Sequence, residues 1–73
     1  MAKVAIFLAT GFEEIEALTV VDLLRRVHVD IDMVSITGKK RAIGSRGIVV
    51  ETDKIINQLN FSEYDMLVLP GGM

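Results

Sequence analysis

The 73-residue sequence predicts an α/β fold, the front part of a doubly wound parallel sheet, and three observations carry that reading. A continuous apolar run from Lys3 to Ala9, "KVAIFLA", opens the chain, and a stretch whose apolar residues recur every three or four positions follows it. A second apolar run, Ile31 to Ile36, comes next; strand, helix, strand within about 35 residues marks a parallel βαβ unit. A third run, "DMLVLP", stops at Pro70-Gly71-Gly72.

Each element has its own warrant. Lys3–Ala9 lies between a lysine and a Thr-Gly pair and suits a strand covered on both faces. Thr10, with Glu13 three residues on, matches a capping box and predicts a helix entrance. Within that helix Ala17, Val20, Val21, Leu24 and Val27 form one apolar stripe, and Ile15, Leu18 and Leu23 widen it enough to predict burial on more than one side. Arg25 and Arg26 fall in the last turn, where cations suit the helix dipole. No glycine follows, so His28 takes the closing position with positive φ, which histidine tolerates better than most side chains. Ile31–Ile36 forms the second strand, ended by Thr37-Gly38. Gly44 and Gly47 around Ser45-Arg46 predict a short irregular hairpin over Arg41–Glu51. Asp53–Leu59 predicts a short helix, Asn60–Tyr64 a turn, and "DMLVLP" a third parallel strand.

Composition narrows the function classes. A chain 51% hydrophobic and 25% charged reads as one globular unit, and a net charge of -2 gives no general attraction to nucleic acid. Lys39-Lys40-Arg41 reads as a solvated turn. No apolar run approaches the roughly 20 residues that span a bilayer, and Val4–Ala9 is too short for a signal peptide. The absence of cysteine excludes disulfides and thiolate metal sites here and predicts a cytoplasmic protein. A domain of this size buries only about 60% of its unfolded surface. The apolar third strand has nothing after it to cover it, so residues 1–73 are expected to be the N-terminal segment of a longer domain.

In open α/β sheets the ligand crevice lies beyond the carboxyl ends of the strands. Two loops are expected there, Ala9–Phe12 with Gly11, and Pro70–Met73. Acidic side chains at a helix entrance contribute about 0.3–1 kcal/mol each through the dipole, which accounts for Glu13 and Glu14. Glu16 sits a turn further in, between Ile15 and Ala17, where water is expected to be scarce; a carboxyl group in such a place keeps its proton and can donate a hydrogen bond. A catalytic role and membership of an ion-pair network both remain open for it. Pro70-Gly71-Gly72 reads either as a turn or as a source of backbone N–H groups for an oxyanion.

Other chemistries fail on spacing. Neither G-x-x-x-x-G-K-[ST] nor G-x-G-x-x-G is present. A phosphorelay receiver would need an aspartate where Leu69-Pro70 stands. Ser45 is not in a G-x-S-x-G turn, and the single histidine lies at a helix end, so no serine triad assembles. His28, Asp30 and Asp32 alternate and could line one strand face as metal ligands, but polar residues are also what solvated connections carry, and no metal is predicted.

Taken together, "KVAIFLATGFEEIEALTVVDLLRR", "SITGKK", "GSRGIVVETD" and "YDMLVLPGG" resemble the N-terminal part of the ThiJ/PfpI superfamily, on its DJ-one side, over nearly the whole chain. The pairing of G-x-E-E-x-E with D-x-x-x-L-P-G-G is the specific part. The resemblance implies a flavodoxin-like protein, normally a homodimer, needing no cofactor, whose cysteine lies beyond Met73. By the same resemblance Glu16 matches the glutamate that hydrogen-bonds the cysteine sulfur. Gly71 and Gly72 match glycines beside the nucleophile, Glu13 a pocket acid, and Arg46 and Arg26 arginines near the dimer interface. Val27-His28 departs from the Ala-Gly common at that helix end. The implied activity is glyoxalase or deglycase chemistry on a small aldehyde or dicarbonyl such as methylglyoxal, or on its early protein adducts. An oxidative-stress sensor or chaperone-like protein, and an intracellular peptidase of the PfpI kind, are the alternatives.

Overall fold

The computed structural model describes residues 2–72. Along the chain run β1 (Lys3–Leu8), α1 (Glu14–Arg26), β2 (Asp30–Ser35), β3 (Arg41–Ile43), β4 (Val49–Glu51), β5 (Lys54–Ile55) and β6 (Met66–Val68). Two 3-10 turns, Ile56–Gln58 and Phe61–Glu63, separate the last two strands. The main sheet has the order β5-β2-β1-β6 and every pairing in it is parallel. β3 and β4 form a separate antiparallel hairpin.

Alternation along β1 explains its unbroken apolar run. Val4, Ile6 and Leu8 point to one face and pack with Ile31 of β2 against Ala17 and Val21 of α1. Ala5 and Phe7 point to the other and pack with Val34 beneath Ile56, Leu59 and Tyr64, with the Phe7 ring stacked on Phe61 at 6.1 Å. Each large side chain so buried contributes about 1.5–3 kcal/mol.

Three local expectations give way to other arrangements. The capping box does not form: Thr10 is exposed, the Phe12 N–H closes a turn onto Ala9 O at 3.1 Å, and the helix starts at Glu14 with Glu13 as its first flanking residue. Asp53–Leu59 is not an α-helix. Its first residues pair with the sheet, Lys54 and Ile55 against Val34 and Ser35, while the Asp53 carboxylate accepts the Met33 N–H at 2.8 Å. A seven-residue segment lacks the length to sustain a helix against such pairing. The wide stripe of α1 is covered on one side only among the described residues: Ile15 is 80% exposed and Leu23 57%. One sheet face lies against this helix, and among the described residues nothing but the hairpin reaches its outer flank.

The helix ends as expected, on His28 at φ 63°. His28 N–H donates to Arg25 O at 3.1 Å and Val29 N–H to Leu24 O at 2.9 Å, the paired bonds of a Schellman motif with histidine in the glycine position. Leu24 and Val29 both pack on the core, which supplies the hydrophobic contact of that motif. Arg25 then bridges to Ile31 O at 3.2 Å and to Asp53 at 2.9 Å, fixing the helix end to the sheet. Among the described residues, no helix is long and apolar enough to cross a membrane. β6 is an outer strand with Met66 and Leu67 exposed.

Candidate active site

β1 and β6 are parallel neighbours, so the loops that follow them emerge side by side at the carboxyl edge of the sheet. There the two main chains touch. Glu13 N–H donates to Gly71 O at 2.9 Å, and Phe12 and Gly72 form an isolated antiparallel bridge. Gly72 has φ +104°, and a Cβ on it would stand 2.5 Å from Gly11 O and 2.6 Å from Glu13 N. Gly11 donates its N–H to Ile43 O at 2.8 Å, joining the same corner to the hairpin. A cavity of about 110 Å³ remains between these loops, with Ala9, Thr10, Phe12, Pro70, Gly71 and Gly72 in its wall. Sites for drug-sized ligands run to several hundred Å³, so this one suits a molecule of a few heavy atoms.

Glu16 reaches this corner from α1. Its Oε1 accepts the Gly71 N–H at 3.0 Å, so the helix acid and the glycine loop meet as expected. Its burial is not as expected, because Glu16 is exposed. Gly71 has its N–H engaged by that carboxylate, and Gly72 N–H has no acceptor among the described residues. Met73, expected to complete the loop, lies outside the described residues.

The buried acid is Glu14, only 4% exposed. Its Oε2 accepts the N–H groups of Arg46 at 2.8 Å and Ile48 at 3.3 Å, and its Oε1 accepts the Ser45 hydroxyl at 3.3 Å. Burial pushes this carboxyl up, but hydrogen bonds from its own N–H, from Arg46 and Ile48 and from Ser45 together outweigh it and hold it below its ordinary value. The dipole account of Glu14 is therefore incomplete. The sequence held a signal: Glu14 stands three residues before Ala17 and seven before Val21, on the buried stripe itself.

The arginines separate. Arg46 is tied by its backbone to the helix entrance, its side chain exposed. Arg26 lies at the far end of α1, about 18 Å away at 1.5 Å per residue, and pairs with Asp22 at 3.0 Å. It is not brought to this corner. A larger hollow, about 420 Å³, lies along the outer flank of α1 among Glu14, Ile15, Leu18, Leu23 and Ile48. It is shallow and apolar, and its one buried acid is already bonded to the hairpin, so it offers packing surface rather than reacting groups.

His28, Asp30 and Asp32 do not share a strand face. His28 belongs to the helix-ending turn, and β2 begins only at Asp30. Asp32 instead accepts the Tyr64 hydroxyl at 2.6 Å and pairs with Lys54 at 3.3 Å. Burial raises this carboxyl, yet Tyr64 and Lys54 outweigh it and hold it below its ordinary range. The Tyr64 and Asp32 contacts in turn hold Lys54 above its own. No group of three or more potential metal-ligating side chains comes together among the described residues.

A model of the DJ-1/PfpI family matches residues 2–73. Protein dj-1beta of Drosophila melanogaster is 32% identical over 74 residues, spanning all of this chain and 40% of the fly protein. Oxidized DJ-1 of Toxoplasma gondii has the same fold at a TM-score of 0.94 and 36% identity, over 100% of this chain and 40% of that one. A cysteine-to-alanine variant of a DJ-1 superfamily protein from Salmonella typhimurium gives 0.93 and 36%, over 99% and 39%. The chain thus spans about two fifths of the length of these relatives.

Proposed function

The chain belongs to the DJ-1/PfpI family and carries the front of its flavodoxin-like fold, and on that premise we propose that it serves a cysteine-dependent glyoxalase or deglycase. The substrates proposed are methylglyoxal-like dicarbonyls or their early protein adducts. One observation carries the reading: Glu16 Oε1 is fastened to the Gly71 N–H at 3.0 Å, which ties a carboxyl group to the loop that walls a small cavity of about 110 Å³.

The thiolate must come from outside these 73 residues, which contain no cysteine. It attacks the aldehyde carbon; a C–S bond forms and the carbonyl π pair moves to oxygen, for which the Gly72 N–H is the proposed donor. Protonation gives a hemithioacetal. The Glu16 carboxylate then takes the proton from the former aldehyde carbon, giving an enediolate, and returns it to the neighbouring carbon while the hydroxyl proton passes to that carbon's oxygen, leaving a thioester. Water cleaves the thioester to a hydroxy acid and regenerates the thiolate, so no external oxidant or cofactor enters. Glu13, whose N–H donates to Gly71 O at 2.9 Å, is the proposed second acid of the pocket. A cytoplasmic location suits a thiol that must stay reduced.

The outer flank of α1, with Ile15, Leu23 and Ile48 bare and Arg46 beside them, supports a homodimer built on that face. The remainder of the domain is the other proposed partner, against β6. A second reading, an oxidative-stress sensor, is favoured by the oxidized state in which the Toxoplasma relative was solved. Methylglyoxal turnover and sulfinate formation in Glu16→Gln, within the protein that carries this chain, separate the two. Loss of turnover by about 10²-fold or more supports the enzyme; intact turnover with altered sulfinate formation supports the sensor.

A further inference from the structure

The loop from Gly44 to Ile48 is short and exposed from Ser45 on, and one side chain, Glu14, takes most of the bonds that tie it to the helix entrance. Within the loop, Gly44 N–H bonds Ile48 O and Gly47 N–H bonds Gly44 O, each at 3.0 Å, which makes the turn but does not place it. Placement comes from the helix entrance. Ser45 N–H donates to Phe12 O at 2.9 Å, and the Glu14 carboxylate takes three further donors from Ser45, Arg46 and Ile48. Gly44 is buried against that carboxylate so closely that a Cβ would fall inside it. Ile48 and Glu14 line the same hollow on α1, and Arg46 has no ion pair among the described residues.

We infer that Glu14 is a positioning residue: by gathering the Arg46 N–H, the Ile48 N–H and the Ser45 hydroxyl it sets the loop that carries Arg46 and Ile48 to the flank of α1. What Arg46 then does rests on the proposed function; where it is held does not. A carboxylate suits the task because each oxygen accepts from more than one direction, and bonds from a main chain to an ionised acceptor are stronger than neutral ones. Glutamine keeps the shape and one carbonyl oxygen for the two N–H groups, and its amide can face the Ser45 oxygen. Alanine keeps nothing.

Two measurements test this on the protein that carries the chain. In the first, amide exchange at Arg46 and Ile48 accelerates roughly tenfold or more in Glu14→Ala relative to β1 and β2 amides, while Glu14→Gln stays near the parent. Exchange at Arg46 and Ile48 that is unchanged in Glu14→Ala, or that rises no more there than in β1 and β2, overturns the inference. In the second, methylglyoxal KM rises in Glu14→Ala by the same factor as in Arg46→Ala, and the double variant is no worse than either. Multiplying effects overturn the inference. A parent protein that turns over no methylglyoxal defeats the proposed function alone, since the exchange measurement still decides what Glu14 does.

Discussion

The Gly71 N–H donates to Glu16 Oε1 at 3.0 Å, joining residues 55 positions apart, and this bond closes the corner where the loops after β1 and β6 meet. Around it the two main chains lie too close for any side chain between them, and the carboxyl group of the helix becomes part of the loop's own hydrogen bonding. The corner is thus closed by backbone and a single acid.

Gly72→Ala should show how tightly that corner is made. The residue sits at φ +104°, and the added methyl would meet Gly11 O at 2.5 Å. Strain of this kind costs about 1–3 kcal/mol, and urea unfolding of Gly72→Ala should show a loss of that order, with the Glu13 amide exchanging faster.

His28→Gly should stabilise the chain. Histidine at φ 63° closes the helix in a conformation that costs a side-chain-bearing residue about 1 kcal/mol relative to glycine. Thermal unfolding should rise by a few degrees, the shift expected for about 1 kcal/mol in a domain of this size. A fall would mean that the imidazole makes a contact outweighing the strain.

Tyr64→Phe removes the hydroxyl that Asp32 accepts at 2.6 Å and Lys54 meets at 3.2 Å. A hydrogen bond of this kind contributes about 1 kcal/mol net, so equilibrium unfolding should move by that amount. Lys54→Ala should cost less, because its ion pair with Asp32 is partly open to water.

Acid should loosen the fold through two carboxylates. Glu14 and Asp32 both titrate below their ordinary values when folded. The unfolded chain therefore binds protons first as pH falls, so the stability these groups contribute is complete above their ordinary values and drains away through the folded ones. Unfolding free energy should hold steady from neutral pH down to about 5 and decline below it. Glu14→Gln should flatten the upper part of that decline, the part a glutamate governs.

Much of this fold was legible because β1, α1, β2 and β6 announce themselves through unbroken or periodic apolar runs. β5 did not, since two residues carry no period and their pairing depends on Asp53 bonding to Met33 across the sheet. The capping box misled because Thr10 belongs to the preceding turn, a distinction of three residues that backbone bonding decides. At the site, proximity of Glu16 to the Gly71 loop followed from topology, but burial did not. Which glutamate is covered depends on a hairpin some thirty residues downstream, which only the assembled structure reveals. Spacing does place Glu14 on the stripe of Ala17 and Val21, and a helix-entrance acid on that stripe is one the core covers.

β6 carries a last consequence. An outer strand with Met66 and Leu67 bare and one row of amide and carbonyl groups unpaired is a template for further strands. In isolation and at high concentration, residues 1–73 will stack edge to edge into oligomers and then precipitate. The bare edge of β6 is the longer of the two open edges of this sheet, and a lysine in place of Leu67 is the simplest remedy.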